Sequence, residues 1–405
     1  MPAVIFAAPI LSDNAARMIA ATAALEDVRL GVISQAPAED LPAGIRGRLA
    51  AHWRVDDVLD VAQLGSAVDA LTGRLGRQKT VDCLFGAFEH LQVPLAEVRE
   101  RLGIEGMGVE TAKNFRDKAR MKSLLRGAGI PCARHVLAVN GEQALEFAAQ
   151  TGFPLVVKPP SGAGAQATHR VEDEAALRAA LASASWPVLV EEFVTGDEHS
   201  LETVSIGGRP VWHSLTHYYP TPLEVLRNPW MQWCVVLPRE ADEPRYDDIK
   251  DAATRALEVL GMKTGLTHLE WFRRTDGSVA ISEVAARPPG AQITTLVSRA
   301  HDFDFVAAWT RLMVYGTFEA PPRRYAVGAA YLRGQGEGRV RAIHGLDVVQ
   351  REVGGLVVDC KLPQPGQDKA VSYEGEGYII LRHPDTKVVE QALHRLISVV
   401  RVELG

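Results

Sequence analysis

The sequence predicts a mixed α/β and α+β protein in three parts, and three observations point there. The N-terminal stretch reads strand, helix, strand at the spacing of a parallel βαβ unit. The middle of the chain alternates short apolar runs with capped helices, the pattern of a larger α+β unit. From about Pro321 the composition shifts to short β-rich runs between glycine turns, closed by one helix. The expected divisions are residues 1–112, 113–320 and 321–405.

Taken in order, AVIFAA (residues 3–8) is a buried-strand candidate, and Ser12-Asp13-Asn14 supplies caps for a helix over Ala15–Leu25. Val28–Ser34 reads as the second strand and Asp82–Ala87 as a later strand of the same sheet. No G-x-G-x-x-G follows the first strand, so the dinucleotide fingerprint is absent. Ala112–Gly129 reads as one helix, stopped by Gly129 with Pro131 beyond it. A strand over His135–Val139, a helix over Gly141–Gln150 and a strand over Pro154–Lys158 follow. A further helix begins at Glu172-Asp173-Glu174, with acid in its first turn where the dipole favours it. Residues 200–217 and 264–284 alternate like strands around one helix, Tyr246–Leu260, stopped by Gly261. In the last part Val327–Leu332, Gly338–Ala342, Leu356–Lys361 and Gly377–Leu381 read as strands and Thr386–Val399 as the closing helix.

Composition excludes several function classes. The 405 residues are 47% hydrophobic and 23% charged, ordinary for a globular chain with a sizeable core. A net charge of -6 and the lack of a basic run argue against a nucleic-acid surface. Cys83, Cys132, Cys234 and Cys360 are widely spaced and form no C-x-x-C pair, which reads as reduced thiols in a cytoplasmic protein. The first residues, MPAVIFAAPIL, are apolar but lack a basic lead, and no stretch has the length of a membrane span, so no membrane partner is expected.

Chemistry concentrates in two places. In PLVVKPPSGAGAQATHRV, Lys158 ends a hydrophobic strand and is pinned by Pro159-Pro160, which aims its ammonium at the loop that follows. That order, cation before loop, is the reverse of a P-loop. In THLEWF, His268 and Glu270 are two apart and leave one face of a strand; in AISEVAARPPG, Glu283, Ala285 and Arg287 do the same. If RRTDGS (273–278) is the turn of a hairpin, two carboxylates and an arginine lie together. Two adjacent carboxylates repel unless a cation lies between them. Magnesium suits them, because it takes one or two carboxylates and keeps other positions for water and phosphate. His213 and His217 share a strand face but lack a third ligand, so they read as structural or pocket-lining. Tyr218, Tyr219, Trp230 and Trp233 form an aromatic cluster that fits either a substrate pocket or core packing. Glu89 reads more simply as surface than as a cleft residue.

These ordered motifs, over about residues 80 to 320, resemble the ATP-grasp superfamily, and GLTHLEW resembles its carboxylate–amine (amino-acid) ligase branch. The resemblance implies an ATP-grasp fold behind an N-terminal βαβ (pre-ATP-grasp) domain, with a lid subdomain over about 130–193 and a C-terminal β-rich segment. DKARMKSLLRGAGIP then implies that Lys118 contacts nucleotide phosphates together with Lys158, and Ser161, Gly162 and Gly164 belong to the loop that closes over ATP. VLVEEFVTGDEHSLE implies that the backbone of Glu191, Glu192, Phe193 and Val194 meets the adenine, with Glu198 near the ribose. Glu270 and Glu283 become ligands of Mg2+ or Mn2+, and Arg287 stabilises the transferred phosphoryl group or acyl phosphate. Glu89, His268, Arg287 and Gly290 are the implied substrate contacts. The implied partners are a small carboxylate and an amine, and a second copy of the chain is a further candidate partner. Alternatives are an enzyme using bicarbonate, of biotin-carboxylase or carbamoyl-phosphate type, and a nucleotide-binding protein without catalysis. Two features depart from the family pattern: Ala285 stands where an asparagine is usual, and Ala163, Ala165 and Ala167 make the loop glycine-poor.

Overall fold

The Ala3–Ala8 strand is buried at every position, because both of its faces are covered as parallel strands require. It is an inner strand of a four-stranded parallel sheet ordered Ala51–Arg54, Arg29–Ser34, Ala3–Ala8, Cys83–Phe85. The helix after the first strand runs Asp13–Ala23, and Ser12 caps it by accepting from the Ala15 amide. The computed structural model describes residues 1–162 and 167–405. Gly164, with Ala163 and Ala165, lies outside the described residues.

The single helix expected over 112–129 is two helices, Val109–Arg116 and Lys118–Gly127. Asp117 breaks them: its backbone is extended, and its carboxylate accepts from the Ala119 and Arg120 amides at 2.9 and 3.0 Å. An N-cap acid in mid-pattern starts a new helix rather than continuing the old one. The break makes Lys118 the first residue of the second helix and frees its amide to bond Pro160 O at 2.9 Å. The helix start is thereby tied to the loop that follows Lys158.

An antiparallel lid sheet follows, ordered His135–Ala138, Val188–Glu192, Leu155–Lys158, His169–Val171. Its helices, Gly141–Thr151 and Glu174–Ala182, are capped by Asn140 and Asp173 and pack on it through Ala144, Ala148, Leu177 and Leu181.

The largest sheet has eight strands, ordered Val279–Ala285, Gly265–Arg274, Gly196–Ile206, Arg209–Tyr219, Trp233–Leu237, Ala326–Leu332, Gly377–His383, Val357–Lys361. Its ladders are antiparallel throughout. Hydrogen bonding therefore runs without a break from the middle of the chain into residues 321–405, through Trp233–Leu237 against Ala326–Leu332. The helix Asp247–Leu260 covers one face through Ile249, Ala253, Ala256, Leu257 and Leu260. Thr386–Val399 packs on the later strands. A small sheet of Gly334–Gln335, Arg401–Leu404 and Val340–His344 closes the C-terminal end.

The hairpin at the heart of the sequence reading forms as expected, with Gly277 at φ 85° in the turn. Glu270 pairs with Glu283 and His268 with Ala285, but Trp271 pairs with Ile281. Ser282 is thus the extra residue of a β-bulge. The bulge explains why Ile281 and Val284 are both in the core although they are three apart. Among the described residues, no helix is long and apolar enough to cross a membrane.

Candidate active site

A cavity of about 980 Å³ opens between the lid sheet, the eight-stranded sheet and the first domain. The helix start brings Lys118 to it, and the end of a lid strand brings Lys158. Glu191, Glu192, Phe193 and Val194 follow the neighbouring lid strand into the same wall. Glu198, His268, Glu270 and Glu283 come from three adjacent strands of the large sheet. Arg287, Gly290 and Glu89 close the end nearest the first domain. Gly162 also lines the space, whereas Ser161 is exposed outside it.

The charges are paired in a definite pattern. Lys118 Nζ lies 2.8 Å from Glu283 Oε1 and donates to Gly162 O at 3.0 Å. Arg116 also donates to Gly162 O, at 3.2 Å, so two cations hold the described start of the loop. Lys158 Nζ is 3.0 Å from Glu191 Oε2, and Lys122 Nζ is 3.3 Å from Glu191 Oε1. Burial raises the Glu191 carboxyl, but the two lysines outweigh it and hold the group below the usual carboxylate range. Burial likewise raises Glu283, and Lys118 and Lys158 more than reverse the effect. Glu198 goes the other way: burial first, then the Glu270 carboxylate, push it well above its ordinary value. Burial lowers His268, but hydrogen bonds to Glu202 and Glu270 outweigh it and bring the imidazole to about 9.

One expectation is corrected. Glu89 is not a surface residue; it is 7% exposed and accepts from Arg287 Nε at 2.6 Å. A 3₁₀ turn, Glu89–Leu91, shortly beyond the end of the Cys83–Phe85 strand, turns it inward. Lys118 pairs with Glu283, and Glu89 pairs with Arg287. His213 and His217 are structural: His213 bonds Thr203 at 3.1 Å, and both nitrogens of His217 are used by Tyr219 and Tyr246 at 3.1 Å. Of the aromatic cluster, only Tyr218 and Trp233 reach the cavity, where Tyr373 from the C-terminal segment joins them. Tyr219 and Trp230 are exposed.

Two buried residues escaped the sequence reading. Lys122 is four residues after Lys118, and that helical spacing puts both on one face, so the signal was present. Glu202 had none: its partners Ser200, Thr216 and His268 are set by strand register alone.

The donor set fits a hard divalent cation. Glu270 and Glu283 face each other in register, and the Glu270 carboxylate adds to the effect of burial in raising the neighbouring Glu198. Among the described residues no three His, Cys, Asp or Glu side chains converge as a metal cage. A carboxylate pair without a cage suits magnesium, which fills its remaining positions with water and substrate phosphates.

Residues 123–302 match the model of the ATP-grasp domain. The chain is 25% identical to the uncharacterized protein y4rH of Sinorhizobium fredii, over 84% of this chain and 73% of that protein. It is 24% identical to an L-arginine-specific L-amino acid ligase of Bacillus subtilis, over 66% of each chain. The crystal structure of an L-amino acid ligase from Bacillus licheniformis superposes with a TM-score of 0.78 at 18% identity, covering 100% of this chain and 99% of that one. Residues 123–302 thus match an ATP-grasp domain, and the chain as a whole has the fold of a solved L-amino acid ligase.

Proposed function

We propose that the protein is an ATP-dependent carboxylate–amine ligase that forms an amide or peptide bond through an acyl phosphate, releasing ADP and phosphate, with an amino acid as one substrate. One observation carries the reading: three cations, Lys118, Lys158 and Arg287, line one cavity with the registered carboxylates Glu270 and Glu283. Positioning and charge stabilisation supply most of the catalysis of phosphoryl transfer, and this is a site built for both.

On this reading Lys118 and Lys158 bind the nucleotide phosphates, and the backbone of Glu191 to Val194 meets the adenine edge with Glu198 near the ribose. Glu270 and Glu283 hold magnesium (or manganese), which when bound neutralises phosphate charge. A substrate carboxylate oxygen attacks the γ-phosphorus while the bond to ADP breaks. Arg287, held by Glu89, stabilises the charge that develops. The amine nitrogen then attacks the acyl carbon, phosphate leaves, and the nitrogen loses a proton. Acyl phosphates hydrolyse, so the lid subdomain excludes water while the amine attacks. Glu89, His268 and Gly290 border the substrate end, whose far wall is Tyr218, Trp233 and Tyr373.

The test is a screen of carboxylate and amine pairs with ATP and magnesium, reading phosphate and the nucleotide product. ADP and phosphate released only when both substrates are present is the expected result. AMP as product overturns the acyl-phosphate route, and phosphate release that needs bicarbonate instead assigns the carboxylase-type chemistry. Glu283→Gln is expected to abolish turnover with the fold intact.

A further inference from the structure

The large sheet carries a transverse row of polar side chains to which the proposed chemistry gives no role beyond the place of His268 at the border of the substrate end. Register places Ala285, His268, Glu202 and Ser214 side by side across four neighbouring strands, with Glu283, Glu270, Ser200 and Thr216 as the next row. Registered partners in a sheet project from the same face. Glu202 is wholly buried at 0% exposure, deep in the sheet's centre. Burying a carboxylate is costly unless it is fully bonded, and Glu202 is: it accepts from Ser200 Oγ at 2.7 Å, Thr216 Oγ1 at 3.2 Å and His268 Nδ1 at 2.8 Å.

The result of that arrangement is a fixed imidazole. With Nδ1 committed to Glu202, the ring plane of His268 is set and Nε2 faces Glu270 Oε1 at 3.5 Å. The two proposed metal carboxylates are held differently. Glu283 is pinned by the Lys118 ammonium at 2.8 Å, whereas no cation lies within 4.0 Å of Glu270 among the described residues except this imidazole. On the other side of His268 the register partner is Ala285, whose methyl group adds no polar atom.

We propose that His268, locked by the buried Glu202, is a positioning residue that holds the Glu270 carboxylate in the orientation that receives the divalent cation. The inference rests on the reading of Glu270 and Glu283 as the metal pair. Ligands are tuned by the groups behind them, and loss of such a partner costs about ten- to a hundred-fold in metal affinity. Oxygen-preferring cations make the imidazole a poor direct ligand here, which is why it acts through Glu270.

The test titrates Mn2+ into the full chain saturated with a non-hydrolysable ATP analogue and reads free Mn2+ by electron paramagnetic resonance. His268→Ala and Glu202→Gln are each expected to weaken Mn2+ by about ten-fold or more. Binding of the analogue in EDTA should stay near the wild-type value, which a merely structural loss would not allow. Glu202→Gln is isosteric and decides the question if His268→Ala fails to fold. Wild-type Mn2+ affinity in both variants overturns the inference, as does an equal loss of metal-free nucleotide binding. If Glu283→Gln weakens Mn2+ while His268→Ala and Glu202→Gln do not, the inference fails and the metal pair stands. If none of the three variants changes Mn2+ binding, both fail together.

Discussion

Replacing Glu191 by glutamine should destabilise the protein far more than removing the lysine beside it. Lys122 and Lys158 share this one carboxylate at 3.3 and 3.0 Å, with side-chain exposures of 1%, 11% and 6% for Lys122, Lys158 and Glu191. Two buried positive charges thus rest on one negative charge. Glu191→Gln removes the close ion pair of both ammonium groups and leaves Lys158 only the longer-range field of Glu283 and Glu270, and breaking a buried pair in this way costs about 3–5 kcal/mol. Lys122→Met removes a charge that burial already disfavours, with Lys158 adding to the effect and Glu191 opposing it. The bond from Lys158 to Glu191 survives, so the expected cost is within about 1 kcal/mol of zero.

The same arithmetic gives a pH signature. The Lys122 ammonium lies below its ordinary value in the folded chain, so between that lowered value and the usual lysine value the unfolded chain binds more protons. Stability from this group therefore rises with pH across that window, and the rise should be larger in Glu191→Gln and absent in Lys122→Met. Urea unfolding without nucleotide, at neutral pH and again near the lysine range, measures both effects. Lys122→Met costing as much as Glu191→Gln would refute the reasoning, as would a Glu191→Gln penalty that does not shrink with pH.

Two further outcomes follow from burial. His213, His217 and His301 are each held down to about 4, and His199 to about 3, by burial above all. Their neutral forms stabilise the fold fully above the ordinary histidine value, and that stability is lost as pH falls toward 4. Each is expected to cost roughly 1.4 kcal/mol at about pH 5.5, and an unfolding midpoint that is flat from neutral pH into that range would contradict it. Trp233 stacks on Tyr331 at 4.8 Å, meets Tyr373 edge-on at 4.7 Å and donates its indole N–H to Pro220 O at 3.0 Å. Trp233→Phe should lose about 1 kcal/mol and raise KM for the substrate that Tyr373 borders more than it lowers kcat; a change in kcat alone would place that substrate elsewhere.

The parts of the site legible in the sequence are those written within one element. Lys158 at a strand end, the two-residue spacing of His268 and Glu270, and the turn at Asp276-Gly277 are local patterns, and each forms as read. What escaped depends on contacts between distant segments. Glu89 lies 198 residues from Arg287, and nothing near it in sequence says that its carboxylate turns inward. The joining of Trp233–Leu237 to Ala326–Leu332 is likewise invisible, because every strand involved is apolar on both faces and fits several neighbours. The split at Asp117 was missed for a different reason. The apolar period continues through it, and only the acid's capping role, a competing local preference, breaks the helix.

The pairing of Lys118 with Glu283 bears on how nucleotide and metal enter on the proposed assignment. At 2.8 Å each group satisfies the other, so neither is free for a ligand. A nucleotide phosphate that draws Lys118 away leaves Glu283 half-buried and without that ion pair, facing the phosphates as a like charge. A divalent cation held by Glu270 and Glu283 would remove that cost, because it would neutralise Glu283 where the phosphate takes Lys118. The exchange replaces one ion pair with two and leaves no charge stranded. Lys118 also holds Gly162 O, so the same exchange releases one of the two cations that fix the described start of the loop. On the proposed assignment, Lys118 would thus link the phosphate site to Gly162 at the described start of the loop.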